Sequence, residues 1–345
     1  GRCVLVRGGA ALFLINPGDT AIYTCIESGR LEPEVVMMVR TLRAFGGRFA
    51  QCPVLAIQPR SGPAIAHRTR RELEQLQVSY IKRPVRHRFD WLGFANKPQA
   101  AVMADELART KHVVWLDADV LVVKEPTALD AAQHDTQEVL ACVEELGPVS
   151  SGAGDRFEPF WQALADGAGL PEGVPFTTAG PSGKRIRLQF NSGVFRFHRG
   201  SGFAQRYLEL FEKLYALCVM PKDDPTMFLH EQIIFSIAAA SWRGGFMALD
   251  PHYNFHAEPM YEALYPPAQY ERAVLLHWHG SLRMEDFRDI FVQRLQTSLP
   301  AVASIVQSSL PLEAPRATLP RLHRALLSRM RKRQEDAFMR GASRL

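Results

Sequence analysis

The stretch His112–Val123 (HVVWLDADVLVV) restricts the fold more than any other part of the chain. A valine-rich apolar run leads into Asp117 and another leaves Asp119, the pattern of a strand buried on both faces of a sheet. Two carboxylates in the middle of such a run break its logic. An unpaired buried carboxylate is strongly disfavoured, so the strand ends there or the acids meet a cation. In extended backbone, residues two apart share a face, which would set both acids side by side. Hard oxygen ligands paired at a strand end suit Mg²⁺ or Mn²⁺, above all an ion shared with a phosphate. The competing reading is a strand-terminating turn whose acids cap backbone N–H groups.

Strand and helix patterns alternate ahead of this stretch. Thr20–Glu27 reads as a strand, and Leu31–Phe45 as a helix stopped by Gly46 and Gly47. Cys52–Ile57 and Val78–Lys82 read as strands around a polar helix at Ala66–Leu76, and Asn96 to about Thr110 as the helix feeding the Asp117 strand. That alternation implies right-handed βαβ units and a parallel sheet with ligands at the carboxyl ends of its strands. After Pro126 the pattern changes. Glu138–Glu144 reads as a strand, and Gly147–Gly183, rich in Gly, Pro and Ser around Phe157, Phe160 and Trp161, as a long irregular insertion serving as a lid or binding loop. Leu188–His198 alternates as a strand, and Gly202–Leu217 and Glu231–Trp242 are amphipathic helices. Ala273–His279 is a last apolar strand, and from about Ser304 the chain becomes basic and helical. There is no internal repeat and no GxGxxG loop, which argues against a nicotinamide-binding domain.

The 345 residues allow one large α/β domain or two smaller ones. Of the +5 net charge, the segment from Pro315 onward carries more than all: eight Arg and one Lys against two acids. The body is therefore near neutral, which argues against a nucleic-acid-binding surface. Five cysteines (Cys3, Cys25, Cys52, Cys142, Cys218) lack CxxC spacing and suggest reduced thiols in a reducing compartment. Arg2 and Arg7 flank only a short apolar run and Ala10–Ile15 is too short for an export segment, so no signal peptide is expected. No apolar run reaches transmembrane length, and the expected location is cytoplasmic. Leu319–Met339 sets Leu322, Leu326, Leu327 and Met330 on one face among arginines. That is a basic amphipathic helix able to lie on the inner face of an anionic membrane; the competing reading is a solvated helix or an oligomer contact.

Three separated pieces carry the chemistry: Asp117-Ala118-Asp119, Phe190-Asn191-Ser192-Gly193-Val194-Phe195, and His277-Trp278-His279-Gly280-Ser281-Leu282-Arg283. Their order and context resemble the retaining GT-A glycosyltransferases of family 8, the group containing glycogenin and lipopolysaccharide galactosyltransferases. That family carries a DxD after a buried strand, an FNSG or FNAG strand and a late HxxGxxK segment. The resemblance spans roughly Thr20 to Asp289, apart from the insertion. It implies a GT-A (Rossmann-like) α/β fold, with a mixed, mainly parallel sheet flanked by helices and a C-terminal helical extension. The expected organisation is a catalytic domain over residues 1–300 and a basic tail over 301–345. The donor-binding half would span about 18–130 and the acceptor half about 131–300.

By the same resemblance Asp117 and Asp119 would hold a divalent metal with His277 as third ligand; His279 is the alternative. Two carboxylates and an imidazole favour Mn²⁺ slightly over Mg²⁺. Arg283 stands where the family has Lys and would pair with the donor diphosphate, beside Gly280; the Pro-Trp that follows in the family is Met284-Glu285 here. Lys97 matches a donor-contacting basic residue. Asn191 and Ser192 would meet the sugar, and Gly193 would permit close backbone approach. Glu231-Gln232 resembles an Asp-Gln pair in which the acid binds sugar hydroxyls and the Gln lies near the anomeric carbon. Thr24 and Glu27, at the end of the first strand, would meet the base and ribose, with Ala118 alongside the donor.

The implied activity is transfer of a hexose from a nucleotide-diphosphate sugar, expected to be UDP-linked, to an acceptor hydroxyl with retention. The acceptor class (glycan, lipid-linked glycan or small molecule) is not legible. Inversion stays open, since Glu231 is a conceivable general base. A sugar-nucleotide pyrophosphorylase and a non-catalytic relative are the remaining alternatives; Ser28-Gly29-Arg30-Leu31 is a poor match to the phosphate loop the former needs.

Overall fold

A computed structural model describes residues 19–130, 138–221, 228–315 and 318–345. The reading of the N-terminal segment, including Arg2, Cys3, Arg7 and Ala10–Ile15, lies outside the described residues.

The first half alternates as expected. Strand β1 (Thr20–Cys25) leads to helix α1 (Leu31–Phe45), β2 (Val54–Gln58) to α2 (His67–Gln75), and β3 (Val78–Lys82) to α3 (Asn96–Leu107) and β4 (His112–Leu116). The chain then breaks at Asp117 and resumes as a short β5 (Val120–Val122), followed by β6 (Val139–Val143), α4 (Glu158–Ala168) and a hairpin of β7 (Phe176–Thr178) and β8 (Arg185–Arg187). Next come β9 (Phe190–His198), α5 (Phe203–Tyr215), β10 (Val219–Met220), α6 (Phe228–Ala240), β11 (Phe246–Leu249), β12 (Phe255–His256) and β13 (Leu275–His277). The chain closes with α7 (Glu285–Ser298), α8 (Pro300–Ser309), α9 (Thr318–Arg340) and β14 (Ser343–Arg344).

The seven-stranded main sheet has the order β11-β6-β9-β4-β1-β2-β3. β1 pairs in parallel with β2 and β4, and β2 with β3; β9 runs antiparallel between β4 and β6. The chain walks outward from β1 to β3 and then returns to β4 on the other side of β1. The strand order therefore reverses between β1 and β4, the place where open α/β sheets bind ligands at their carboxyl ends. Strand alternation sends Ala21, Tyr23 and Cys25 into one apolar layer and Ile22 and Ile26 into the other, so β1 is buried on both faces.

Two expectations are refined. The strand ends at the acids, one of the two outcomes the sequence allowed, so they do not sit side by side on one face of an extended segment. β4 stays in the main sheet while β5 joins a second, three-stranded sheet, β12-β13-β5. The turn between them closes with Val120 N–H donating to Asp117 O at 3.2 Å. The Gly147–Gly183 segment is not irregular either. It contains α4, whose Phe160, Trp161, Leu164, Ala165 and Ala168 are buried in the main core. Trp161 Nε1–H donates to Pro148 O at 2.7 Å, so the aromatic patch is core rather than lid. A left-handed Gly169 (φ +80°) ends the helix.

The helix after residue 300 is integrated: Val302, Ala303 and Val306 of α8 pack in a third core cluster with Phe291 and Leu295 of α7. The chain end returns to the body, with Ser343 and Arg344 pairing in parallel with Val219 and Met220.

Candidate active site

The conflict in the sequence at Asp117 resolves into a built cluster. Leaving β4, Asp117 donates its backbone N–H to Gly193 O at 2.9 Å, tying the acid to β9. Trp115 Nε1–H donates to Asp117 Oδ1 at 2.8 Å, and Lys97 Nζ–H to Asp117 Oδ2 at 3.3 Å. The same ammonium donates to Ser192 O and Ser192 Oγ, each at 2.9 Å, and sits 3.5 Å from Glu231. Lys97 is only 6% exposed. Burial works to lower its basicity, but Asp117 and Glu231 outweigh that and hold it above its usual range.

Across the turn, Asp119 Oδ1 lies 3.2 Å from His277 Nε2, and Trp278 N–H donates to Asp119 O at 3.0 Å. Burial pushes the Asp119 carboxyl up, while the charge and hydrogen bond of His277 prevail and hold it below the carboxylate range. The His277 Nδ1 atom lies 2.9 Å from Asn254 Oδ1. With that oxygen as acceptor, Nδ1 carries a proton, and Nε2, which faces Asp119, is the ring atom that would give up its proton to ligate an ion held by the two acids.

A divalent metal fits this donor set. One carboxylate oxygen each from Asp117 and Asp119 and a ring nitrogen of His277 all lie within 4.8 Å of one another. Asn254 fixes the ring tautomer a ligand needs. A second group, His256, His277 and His279, meets the same spacing. The sequence places His277 and His279 two apart in one strand, Ala273–His279. Instead β13 ends at His277, and His279 takes φ +47°, a left-handed conformation. Its Nε2 lies 2.7 Å from His256 Nδ1.

Gly193 is required by packing: a Cβ there would lie 2.5 Å from Cε1 of His277. The close approach it permits is to that imidazole. Asn191 is committed internally, its Nδ2–H donating to Glu144 Oε2 at 3.0 Å and its Oδ1 accepting Gly193 N–H at 2.8 Å. Ser192 Oγ–H donates to Glu231 Oε2 at 2.8 Å, and Tyr207 OH donates to Glu231 Oε1. Burial raises the Glu231 carboxyl, with Lys97 opposing. Gln232, the next residue of α6, is held through Ser236, whose hydroxyl donates to Gln232 O at 2.8 Å and accepts Phe190 N–H at 2.7 Å. Its own Nε2 is buried without a hydrogen-bond partner. An orphaned donor of that kind is costly unless something arrives to accept from it.

Other expected residues sit apart from the cluster. Arg283 is spent on structure: Nε–H donates to the buried Glu34 at 2.6 Å, and its other nitrogens to Leu312 O and Arg30 O. Gly280 takes φ −92°, open to any residue. Thr24 is wholly buried with its hydroxyl unpaired, and Ala118 packs in the second core layer. Glu27, at the end of β1, accepts from Arg60 Nε–H and Nη2–H at 2.7 Å each and from Asn96 Nδ2–H at 2.6 Å. Asn96 and Lys97 are neighbours in the first turn of α3, so the start of that helix ties Glu27 at one residue and Asp117 at the next.

Sequence reasoning missed Glu144, Asn254, His256 and Tyr207. Only Tyr207 carried a local signal, its position on the inward face of a helical pattern.

A glycosyltransferase domain model matches residues 22–243, well over half of the chain and across Asp117, Gly193 and Gln232. The chain belongs to the Rhodobacterales glycosyltransferase domain family. The expectation of a GT-A glycosyltransferase domain holds at that level, and the mixed sheet flanked by helices is the architecture expected of it. No protein of curated function matches the sequence.

Among solved structures, this glycosyltransferase domain is similar to the bifunctional WbbM, at 11% identity over 86% of this chain and 53% of that one, TM-score 0.49. The chain thus spans about half of WbbM's length. It is also similar to the galactosyltransferase LgtC in complex with donor and acceptor sugar analogues (13% identity, 81% and 96% coverage, TM-score 0.43). Mouse xyloside xylosyltransferase 1 gives 14% identity, 75% and 97% coverage and a TM-score of 0.42. None of these likenesses bears on the donor or acceptor of this chain.

Proposed function

We propose that the chain transfers a hexose from a nucleotide-diphosphate sugar, UDP-linked by expectation, to an acceptor hydroxyl, with Mn²⁺ or Mg²⁺ held by Asp117, Asp119 and His277. One observation carries the reading: two ligand atoms from the β4–β5 turn and one from the end of β13 lie within 4.8 Å of one another at the edge of the sheet's switch point. A divalent ion held by these three residues would supply positive charge to offset the negative charge of the diphosphate leaving group. The chain's own groups prepare that site. Lys97 and Trp115 orient Asp117, Asn254 sets the His277 tautomer, and the Gly193 backbone locks both halves together. Gln232 offers its unpaired amide to the sugar or to the incoming acceptor oxygen.

Retention is supported by the state of Glu231. An inverting enzyme needs a carboxylate free to take the acceptor proton. Both Glu231 oxygens already accept hydrogen bonds, from Ser192 and Tyr207, and the residue is 1% exposed. Its role is to hold Lys97 and Ser192 in place. The experiment is nuclear magnetic resonance of the first product formed from UDP-glucose or UDP-galactose with Mn²⁺, using water or a simple alkyl glycoside as acceptor. An axial anomeric product from these axial donors supports the reading; an equatorial one overturns retention, and absence of turnover with every nucleotide sugar overturns the transferase.

The basic end of the chain bears on its partners. Leu319, Leu322, Leu326 and Met330 form an exposed stripe on α9 beside Arg321, Arg329 and Arg333. That face supports peripheral contact with an anionic membrane surface on the cytoplasmic side. Leu327, expected on the same face, turns toward the body instead. No helix among the described residues is long and apolar enough to cross a membrane.

A further inference from the structure

The inner face of α9 is in an unexpected place. A cavity of about 400 Å³ lies between this helix and the carboxyl ends of β1 and β2. Glu27, Arg60 and Trp91 form one wall, and Arg324, Leu327 and Arg331 of α9 form the other. The volume falls at the lower end of the range for small-molecule sites. Glu27 on its wall accepts from Asn96, whose neighbour in α3, Lys97, donates to Asp117, so the start of α3 links the cavity to the metal cluster. It therefore sits on the switch-point side of the sheet, where the nucleoside end of a donor would extend from a diphosphate held at Asp117 and Asp119.

Its chemistry is unbalanced. Four basic side chains line it against two acidic ones, and Glu27 is already bound to Arg60. Arg324 Nη1–H donates to Ser28 Oγ at 2.9 Å, and its Nε lies 3.3 Å from where a Cβ on Gly29 (φ +119°) would stand. Arg331 donates to Ser61 O at 2.7 Å and faces Asp90 at 3.4 Å. Yet Arg331 Nε and Asp90 Oδ1 are both buried without a partner. Burial and the neighbouring Arg60 push the Arg331 guanidinium below its usual range. Two crowded guanidinium groups beside an indole and a leucine suit a ligand that is flat, acceptor-rich and anionic.

We propose that α9 completes the nucleotide pocket: Arg324 and Arg331 bind the nucleoside end of the donor between Trp91 and Leu327, so that nucleotide binding and helix docking are linked. This rests on the donor reading above and adds that the C-terminal helix is part of the substrate site. Linkage is reciprocal, so whatever favours the docked helix tightens nucleotide binding and nucleotide in turn holds the helix.

The test is calorimetric titration of the full chain with UDP and with GDP in the presence of Mn²⁺, beside Arg331→Ala, Arg324→Ala and the outward-facing Arg333→Ala. Each inner substitution should weaken nucleotide binding by about tenfold, the loss of one charge-assisted contact, and Arg333→Ala should leave it unchanged. Trypsin digestion of the unaltered chain gives a readout free of folding defects. Cleavage within residues 318–340 should slow at least threefold, by rough estimate, when UDP and Mn²⁺ are present. Equal or tighter binding by both inner variants, with cleavage unaffected by bound nucleotide, overturns the role of α9 and leaves the donor site standing. No binding of either nucleotide to the unaltered chain overturns both.

Discussion

The α-carbon of Gly193 faces the imidazole of His277 so closely that a methyl group there would lie 2.5 Å from Cε1 and 2.8 Å from Nδ1. The FNSG strand and the HWHG segment, far apart in sequence, are thus fitted to each other at one missing side chain. Gly193→Ala should displace the ring from Asp119 while leaving β9 intact, since no positive φ is involved. We expect metal-dependent nucleotide affinity to fall by roughly tenfold or more with a change in melting temperature of only about 4 °C or less. Unchanged affinity in a folded variant would show that the ring position does not matter.

Lys97 and Glu231 form a buried pair at 3.5 Å, with both side chains under a tenth exposed. Removing one partner leaves the other charge uncompensated. Lys97→Met should cost about 3–5 kcal/mol in urea unfolding of the metal-free chain, and Lys97→Met combined with Glu231→Gln should recover part of it. A double variant no more stable than Lys97→Met would place the stabilisation elsewhere.

His256 is buried at 1% exposure, and burial, with His277 adding to it, holds its imidazole well below the ordinary value. The unfolded chain takes up that proton near pH 6.5 while the folded chain resists it. The contribution is therefore present above about pH 6.5 and is lost as pH falls toward the folded value, at up to about 1.4 kcal/mol per unit. With chelator present, His256→Gln should show a smaller stability loss between pH 7 and pH 5 than the unaltered chain. Equal losses would assign the acid sensitivity to other groups.

What the sequence made legible divides along the range of the interactions. The helix Leu31–Phe45 and the strand Val78–Lys82 match their expected bounds because their signals are local: apolar periodicity and a Gly-Gly stop in one, a short β-prone run in the other. The candidate site was legible at Asp117 because two charges contradicted their apolar surroundings. The helix at Glu158–Ala168 escaped notice because glycine- and proline-rich flanks hid an amphipathic stretch of only three turns. Asn254, Glu144 and His256 were invisible for a different reason. Each acts through a partner at least twenty residues away, and an asparagine that sets a histidine tautomer looks like any other loop residue. Arg283 shows the converse, a basic residue in the expected motif position that the fold uses to neutralise Glu34.

Arg283→Ala separates those two roles. It leaves the buried Glu34 carboxylate without its main partner, and we expect a loss of about 3 kcal/mol in stability, with nucleotide affinity of the folded fraction unchanged. A stable variant with weakened nucleotide binding would return Arg283 to the donor site.

The most direct measurement is isothermal titration of UDP into the full chain with and without Mn²⁺, repeated with Asp119→Ala. The account expects binding that requires the metal, and loss of at least about tenfold in affinity in the variant, as one ligand of three is removed. Metal-independent UDP binding, or equal binding by Asp119→Ala, would contradict the assignment of Asp117, Asp119 and His277 as the centre on which the donor is held.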